Sequence, residues 1–508
     1  MLSQLSKEKW TYDTAAQLAA RAGLGESPSR LEQWTKQGME ATIQELLHPI
    51  DDTTPPPNSV VPDQFALLRE QARDAIPDEK KQARRALRQA VNQQLYELIN
   101  WWTQRMLTTP APLVEKMTLF WHGHFATSAA KVRSPYKLWQ QNETFRHHAL
   151  GNFAALTKAV SRDPAMMAYL DLQTSHQEHP NENFAREVME LFTLGEGNYS
   201  EADIKESARA FTGYRIDRFE QFRFAKNQFD GGTKTFLQQT GNWNGDQIID
   251  IILKQPAAAK FISSKLWKFF AYEDPDPQLI DKLAELFRQN YEVRPVLETI
   301  FSSEEFYSQR ARDAIVKSPV QYVVESGRTL GVNLPGGRTL FAVFKRLGQV
   351  PFFPPNVKGW DGGKSWINTA TLTFRYQLAR QLVLGIRLVN EPRPAKAPFA
   401  SPSAETSPLA QASPSAQASP MTQTASLPAQ NGVRLPALPV DQLVTTEDRK
   451  DPEAAVRKIY GRAFLTTPDP QLFDRILAVA KLKPLPLADD AIRDLVALMM
   501  MTPNYQVC

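Results

Sequence analysis

The sequence predicts a mainly α-helical protein: an irregular multi-helix bundle with one small β-hairpin, and a disordered linker ahead of a C-terminal helical segment. Three observations predict it. Apolar residues recur at helical spacing along most of the 508 residues. Many of these runs end in residues that cap helices. Between Pro392 and about Pro439 the composition turns to Pro, Ala, Ser and Gln, which cannot bury enough apolar surface to offset chain entropy.

Taken in order, Ala15, Ala16, Leu18 and Ala19 form one apolar face, and Leu31, Met39, Ile43 and Leu46 a second. Gly23–Pro28 separates them, with Ser27 or Ser29 free to cap the second. The proline-rich stretch Asp51–Pro62 is a connector. Helical periodicity then runs from about Gln64 to Leu107 through Leu87, Leu95, Leu98, Trp101 and Met106, and Pro110 and Pro112 end it. Further helices are predicted over 113–122, 136–158, 164–172, 182–194, 200–212, 246–255, 256–272, 276–290 and 293–301. Gly195 and Gly213 stand where a helix enters the left-handed region, and Ser200 precedes two acids as an N-cap.

One segment breaks the rhythm. Phe219–Phe224 alternates, Asp230-Gly231-Gly232 offers a turn, and Lys234–Leu237 resumes an extended pattern, which predicts a hairpin across 219–237. The chain thus divides into a main helical domain (1–391), the linker (392–440) and a helical segment (451–508). The last is small for an independent core and is expected to dock on the main domain.

Composition narrows the functional classes. There are 59 basic and 55 acidic residues, a net charge of +4, and no basic module interleaved with aromatics, so nucleic acid is not an expected partner. The densest basic run, Glu79–Arg88, reads as a solvated helical face. The single cysteine, Cys508, excludes an intramolecular disulfide and a thiolate metal site. No apolar run is long enough to span a membrane. The first ten residues lack a basic region followed by an apolar one, which predicts a cytoplasmic location.

Three polar blocks carry chemistry. In Phe120–Ser128, His122 and His124 flank Gly123. In an extended segment both rings face one side and could share a divalent metal ion. On a helix they diverge by about 200° and could not. The alternative is two imidazoles hydrogen-bonded beneath an aromatic shell. In Pro180–Glu190, Asn181 or Asn183 caps a helix on which Glu187 and Glu190, three apart, share a face flanked by Arg186. These acids could complete a metal site with the histidines or serve as acid and base. Equally, they could form a Glu–Arg network that fixes helix packing. In Pro354–Thr369, Lys358, Trp360, Trp366 and Asn368 surround a Gly-rich loop that lacks phosphate-loop spacing. Its tryptophans suit a saccharide or peptide platform, or simple packing.

At these blocks the sequence resembles the bacterial family called domain of unknown function 1800. The resemblance rests on Met117–Ala126, His148–Phe153, Pro180–Glu190, Ala208–Gly213, Lys234–Leu237 and Asn356–Asn368 and spans roughly residues 12–390, and the helical tail is similar to that of longer members; His148 and Asn181, within these blocks, join Lys358, Trp360, Trp366 and Asn368 as candidate binding residues. It implies no catalytic assignment. It does imply an association with a sulfatase-like partner and a role in the cell envelope. Where many members read His-Asp in the hairpin turn, this chain has Phe229-Asp230.

Two functional expectations result. One is a metal-dependent, hydrolytic enzyme with His122, His124 and Glu187 as ligands, Glu187 and Glu190 as acid and base, and Arg186 and Asn183 beside them. The other is a non-catalytic helical scaffold that binds a sulfatase-like protein.

Overall fold

The computed structural model describes residues 2–50, 52, 54–58, 60–61, 65–388, 433–466 and 468–508. Three helices open the chain: α1 (Tyr12–Ala22), α2 (Pro28–Gln37) and α3 (Met39–Leu47). The helical stretch expected over 64–107 divides into α4 (Ala66–Asp74) and α5 (Pro77–Thr108), because Pro77 cannot donate to a continuing helix and instead occupies the first turn of α5. Next comes α6 (Pro112–His124), which continues through Gly123, then α7 (Ala129–Val132) and α8 (Pro135–His147). The helix expected over 136–158 stops at His147. Asn152 caps a separate helix, α9 (Phe153–Ser161), by accepting from the Ala155 N–H.

The middle of the chain holds α10 (Pro164–Tyr169), α11 (Glu182–Glu190) and α12 (Glu201–Ala210). Ser200 and Asp203 form a reciprocal capping box at α12, as the sequence suggests. Four short strands follow: β1 (Tyr214–Ile216), β2 (Phe222–Phe224), β3 (Lys234–Phe236) and β4 (Gln239–Gly241).

The hairpin region lies where expected, but its pairing is different. β1 pairs with β2, and β3 with β4, as two separate antiparallel ribbons. Asp217 makes the first turn by accepting from the Phe219 and Gln221 amides. The second turn uses Leu237 and Gln238 at φ +45° and +65°. Those residue types rarely signal such a turn. Asp230, expected to turn the hairpin, is instead gripped by two nitrogens of Arg209.

The remaining elements are α13 (Gly245–Leu253), α14 (Pro256–Phe270), α15 (Pro277–Arg288), α16 (Val293–Ser302), α17 (Pro319–Leu330), α18 (Gly337–Leu347), α19 (Thr369–Leu384), α20 (Pro452–Phe464), α21 (Pro470–Lys481) and α22 (Asp489–Met500). The linker expected over 392–440 lies outside the described residues up to 432. From Val433 onward the chain is packed: the Leu388 amide donates to the Val433 carbonyl, and Leu435, Leu438 and Val440 are buried. Helix α22 packs along α19, and α20 touches α17. No helix among the described residues is long and apolar enough to cross a membrane.

The apolar interior has two parts. One gathers α1–α3, α6, α9 and α11–α16; the other gathers α5 and α17–α22. Helix α6 lies between them, giving Met117, Phe120 and Trp121 to the first and Leu119 to the second. Eleven of its thirteen residues are buried, the pattern of a helix enclosed on all sides.

Glu115 on α6 is consequently buried with its charge. Its carboxylate accepts from Arg146 at 2.6 and 3.1 Å and from Trp102 Nε1 at 2.8 Å, and lies 2.9 Å from Arg105. Glu115→Ala leaves two buried guanidinium groups without their main counter-charge and should cost about 3–5 kcal/mol, read as a lowered urea midpoint. Arg186→Ala, which breaks a solvent-exposed pair with Glu201, should leave the midpoint unchanged.

Candidate functional site: a lysine- and tryptophan-lined cleft

Because α6 stays helical through Gly123, His122 and His124 leave it in different directions. His122 is 1% exposed. Its Nε2 accepts the Phe352 amide at 2.9 Å, and its ring lies against Trp102, Phe352 and Trp360. Burial pushes its pKa down to about 3. His124 Nε2 stands 3.0 Å from the Phe192 carbonyl, and its Nδ1 stands 3.2 Å from Lys265 Nζ. Burial, then the Lys265 charge, holds its pKa well below the usual value.

The ligand set expected from His122, His124 and Glu187 does not form. The two rings point apart on a helix, and three of their four nitrogens are engaged by protein groups, two at His124 and one at His122. Among the described residues, no group of three or more His, Cys, Asp or Glu side chains is placed to hold a metal ion.

His122 instead positions a loop. Phe352 sits at φ +67°, a left-handed conformation disfavoured for a bulky residue. It is clamped there from both sides: its amide donates to His122, and its carbonyl accepts from the Ala129 amide at 2.8 Å. This turn leads directly into the 354–368 block. Gly359, at φ +86°, brings that block against α6 so closely that a side chain at 359 would collide with the Gly123 carbonyl. The first and third sequence blocks are thus joined backbone to backbone.

Beside this junction opens a cavity of about 470 Å³, bounded by α6, α14, the start of α17 and the 358–366 loop. Lys116, Phe120, Gly123 and His124 line it from α6 at spacings of four, three and one, a single helical face. Lys265, Lys268 and Phe269 line it from α14, Ser318 and Gln321 from α17, and Lys358, Trp360 and Trp366 from the loop. Glu273, Asp274 and Asp361 stand at its edges.

Two of these lysines are unusual. Lys116 is 4% exposed. Among the described residues its one hydrogen bond is to Gln321 Oε1, at 2.6 Å, and its Nζ lies 5.5 Å from the centre of the Phe269 ring. Gln321 is held in that orientation because its amide nitrogen donates to the Ala20 carbonyl and to Glu325. Burial lowers the Lys116 pKa to about 8. Burial, then the charge of Lys358, lowers Lys265 to about 8 as well.

Of the residues expected from sequence, His124, Lys358, Trp360 and Trp366 meet in this cleft, and His122 lies behind Trp360. The others lie elsewhere. Asn181 caps α11 by accepting from the exposed Asn183 amide at 2.9 Å. Arg186 pairs with Glu201 through two 2.9 Å contacts. Glu190 accepts from the Tyr199 hydroxyl at 3.0 Å. Glu187 is half-buried and accepts no hydrogen bond among the described residues; burial, then the Glu190 charge, raises its pKa. His148 caps α8 beside His147, and Asn368 caps α19 in a reciprocal box with Thr371. Lys116, Lys265, Lys268 and Gln321 were not anticipated. Lys116 had a visible signal: with Glu115 it forms a charged pair inside the mainly apolar run Pro112–Trp121.

The chain matches the family described as protein of unknown function, DUF1800, over residues 17–507. It belongs to that family. No curated protein and no solved structure matches it. The match covers the cleft and the C-terminal helices alike.

The buried histidines make stability depend on pH. Both stay neutral when folded but take up a proton near pH 6.5 when unfolded, so the unfolded chain binds more protons as pH falls. Stability should therefore drop below about pH 6.5, by about 1.4 kcal/mol per pH unit for each histidine. In urea titrations from pH 7 to 5, His122→Leu should show a slope shallower by one proton.

Proposed function

We propose that this protein binds a small anionic molecule in the cleft, with a ring or other flat part of the ligand against Trp360. The observation that carries this reading is Lys116: a buried ammonium in the cleft wall whose hydrogen bond goes to a neutral amide. An ammonium has three N–H donors; Cys508 and Glu325 act on this one through their charge but take no hydrogen bond from it, and leaving two donors buried without acceptors is costly. An incoming carboxylate, phosphate or sulfate supplies the missing acceptor. Lys265, Lys268 and Lys358 add positive charge around it, and the acids at the edge restrict where an anion can sit. The aromatic lining suits a sugar acid or sugar phosphate, in keeping with a saccharide platform in the 354–368 block.

The hydrolytic reading built on Glu187 and Glu190 draws no support from this cleft, because neither residue lines it. A binding role also accommodates a carrier or scaffold that acts with a second protein.

Thermal unfolding tests the reading with phosphate, sulfate, glucuronate and glucose 6-phosphate as probes. The wild-type melting temperature should rise with concentration for at least one anion, and more for the sugar derivatives than for the bare ions. Lys116→Met, which keeps the volume and removes the charge, should abolish the rise. An equal rise in that variant, or none with any probe in the wild type, would overturn the proposal.

A further inference from the structure

Lys265 has two acceptors at hydrogen-bond distance from its Nζ: His124 Nδ1 and the Leu191 carbonyl, each at 3.2 Å. The state of the first is set by its surroundings. His124 Nε2 faces the Phe192 carbonyl at 3.0 Å, which can only accept, so Nε2 carries the ring hydrogen and Nδ1 presents a lone pair. Burial keeps the ring neutral. The Lys265 ammonium or amine thus donates two N–H bonds to two fixed acceptors. Its Nζ also rests 4.5 Å from the centre of the Phe261 ring. A neutral amine held this way has one position left, its lone pair, and Lys265 lines the cleft.

Electrostatics make that neutral form accessible. With its pKa lowered to about 8, roughly one Lys265 in ten is a free amine at pH 7, against fewer than one in a thousand for an ordinary lysine near 10.4. A desolvated lysine beside a second cation is a recurring way to make an amine nucleophilic. Here the second cation is Lys358.

Resting on the anion-binding reading of the cleft, we infer that Lys265 is a nucleophilic amine that forms an iminium with an anionic aldehyde or keto acid bound there. The Nζ lone pair forms a bond to the carbonyl carbon. The carbonyl oxygen leaves as water, taking one hydrogen from the amine and one proton from the medium. The iminium nitrogen keeps one hydrogen, which has the Leu191 carbonyl as its acceptor. No oxidant or reductant is needed. The bound anion holds the carbonyl group in place, and His124 keeps the amine oriented before attack, so His124 is a positioning residue.

Pyridoxal 5′-phosphate tests this, being an aldehyde that carries a phosphate on a flat ring. The full-length chain is incubated with it at pH 7 and reduced with borohydride, and the label is mapped by peptide mass spectrometry. Label should concentrate on Lys265, at least tenfold over the exposed Lys36 and Lys481 in the same digest. Excess inorganic phosphate should suppress it, and pyridoxal without the phosphate should label Lys265 more slowly. Lys265→Arg should lose this label and keep the labelling of Lys36 and Lys481. Label spread evenly over surface lysines, in protein whose melting temperature phosphate still raises, overturns this inference and leaves the cleft reading standing. Selective Lys265 labelling that phosphate does not suppress, and that pyridoxal matches, supports the nucleophilic amine and overturns the anion site.

Discussion

A helix buried along all but the face that lines a cleft leaves its polar side chains little water, so each must find a partner on a neighbouring element. Besides Thr118 and the Trp121 indole, helix α6 carries four such groups, and each reaches a different part of the molecule. Glu115 binds Arg105 and Arg146 on α5 and α8. Lys116 reaches Gln321 on α17. His122 holds the Phe352 amide. His124 spans the residues after α11 and Lys265 on α14. Polar bonds of this kind are directional where apolar contacts are not, so they set the relative placement of the elements that the two apolar clusters only press together.

The cleft follows from that arrangement. Its wall is the face of α6 bearing Lys116, Phe120 and His124, and its loop is anchored twice to the same helix: through His122 to Phe352, and through the bare backbone of Gly123 against Gly359. Gly123 does not break the helix; its carbonyl is the point of α6 that the backbone of Gly359 approaches, and the missing side chain that allows this is the one at 359. A side chain at Gly359 would meet the Gly123 carbonyl and push the loop, and Trp360 with it, away from α6.

Much of the fold was legible because helix ends declare themselves locally. Ser27, Ser200 and Asn368 cap where their types suggest. The failures are equally local. Leu237 and Gln238 adopt a left-handed turn that their side chains do not advertise, so β3 pairs with β4 rather than with Phe222–Phe224. Residues 319–330 and 337–347 are helical although the glycines at 327, 331, 336, 337 and 348 interrupt the helical pattern of that region. The site was half legible. His124, Lys358, Trp360 and Trp366 were chosen as unusual residue types in short blocks, and the fold does bring them together. Glu187 and Glu190 were chosen on the same ground and lie outside the cleft, because spacing shows that two acids share a face but not what the face meets. Lys265 and Gln321 come from elements far away in sequence, and no local pattern marks them.

Glu115 and Lys116 adjoin in sequence, lie in the same helix and are equally buried, yet they stand on opposite sides of the line between structural and functional charge. Glu115 accepts from Arg146 and Trp102 and pairs with the charge of Arg105, so its neutralisation is complete within the fold. Lys116 faces a cavity, donates its one hydrogen bond to a neutral amide, and is pushed toward deprotonation by burial against the opposing charges of Cys508 and Glu325. A fold under selection for stability alone would lose nothing by replacing such a lysine with methionine, since an apolar group of similar volume serves a buried position at least as well. Its presence in the cleft wall, with one hydrogen bond for three N–H donors, fits an acceptor supplied by a ligand. That argument applies to Lys116 and Lys265 and to none of the carboxylates of α11, which have water, arginine or tyrosine at hand.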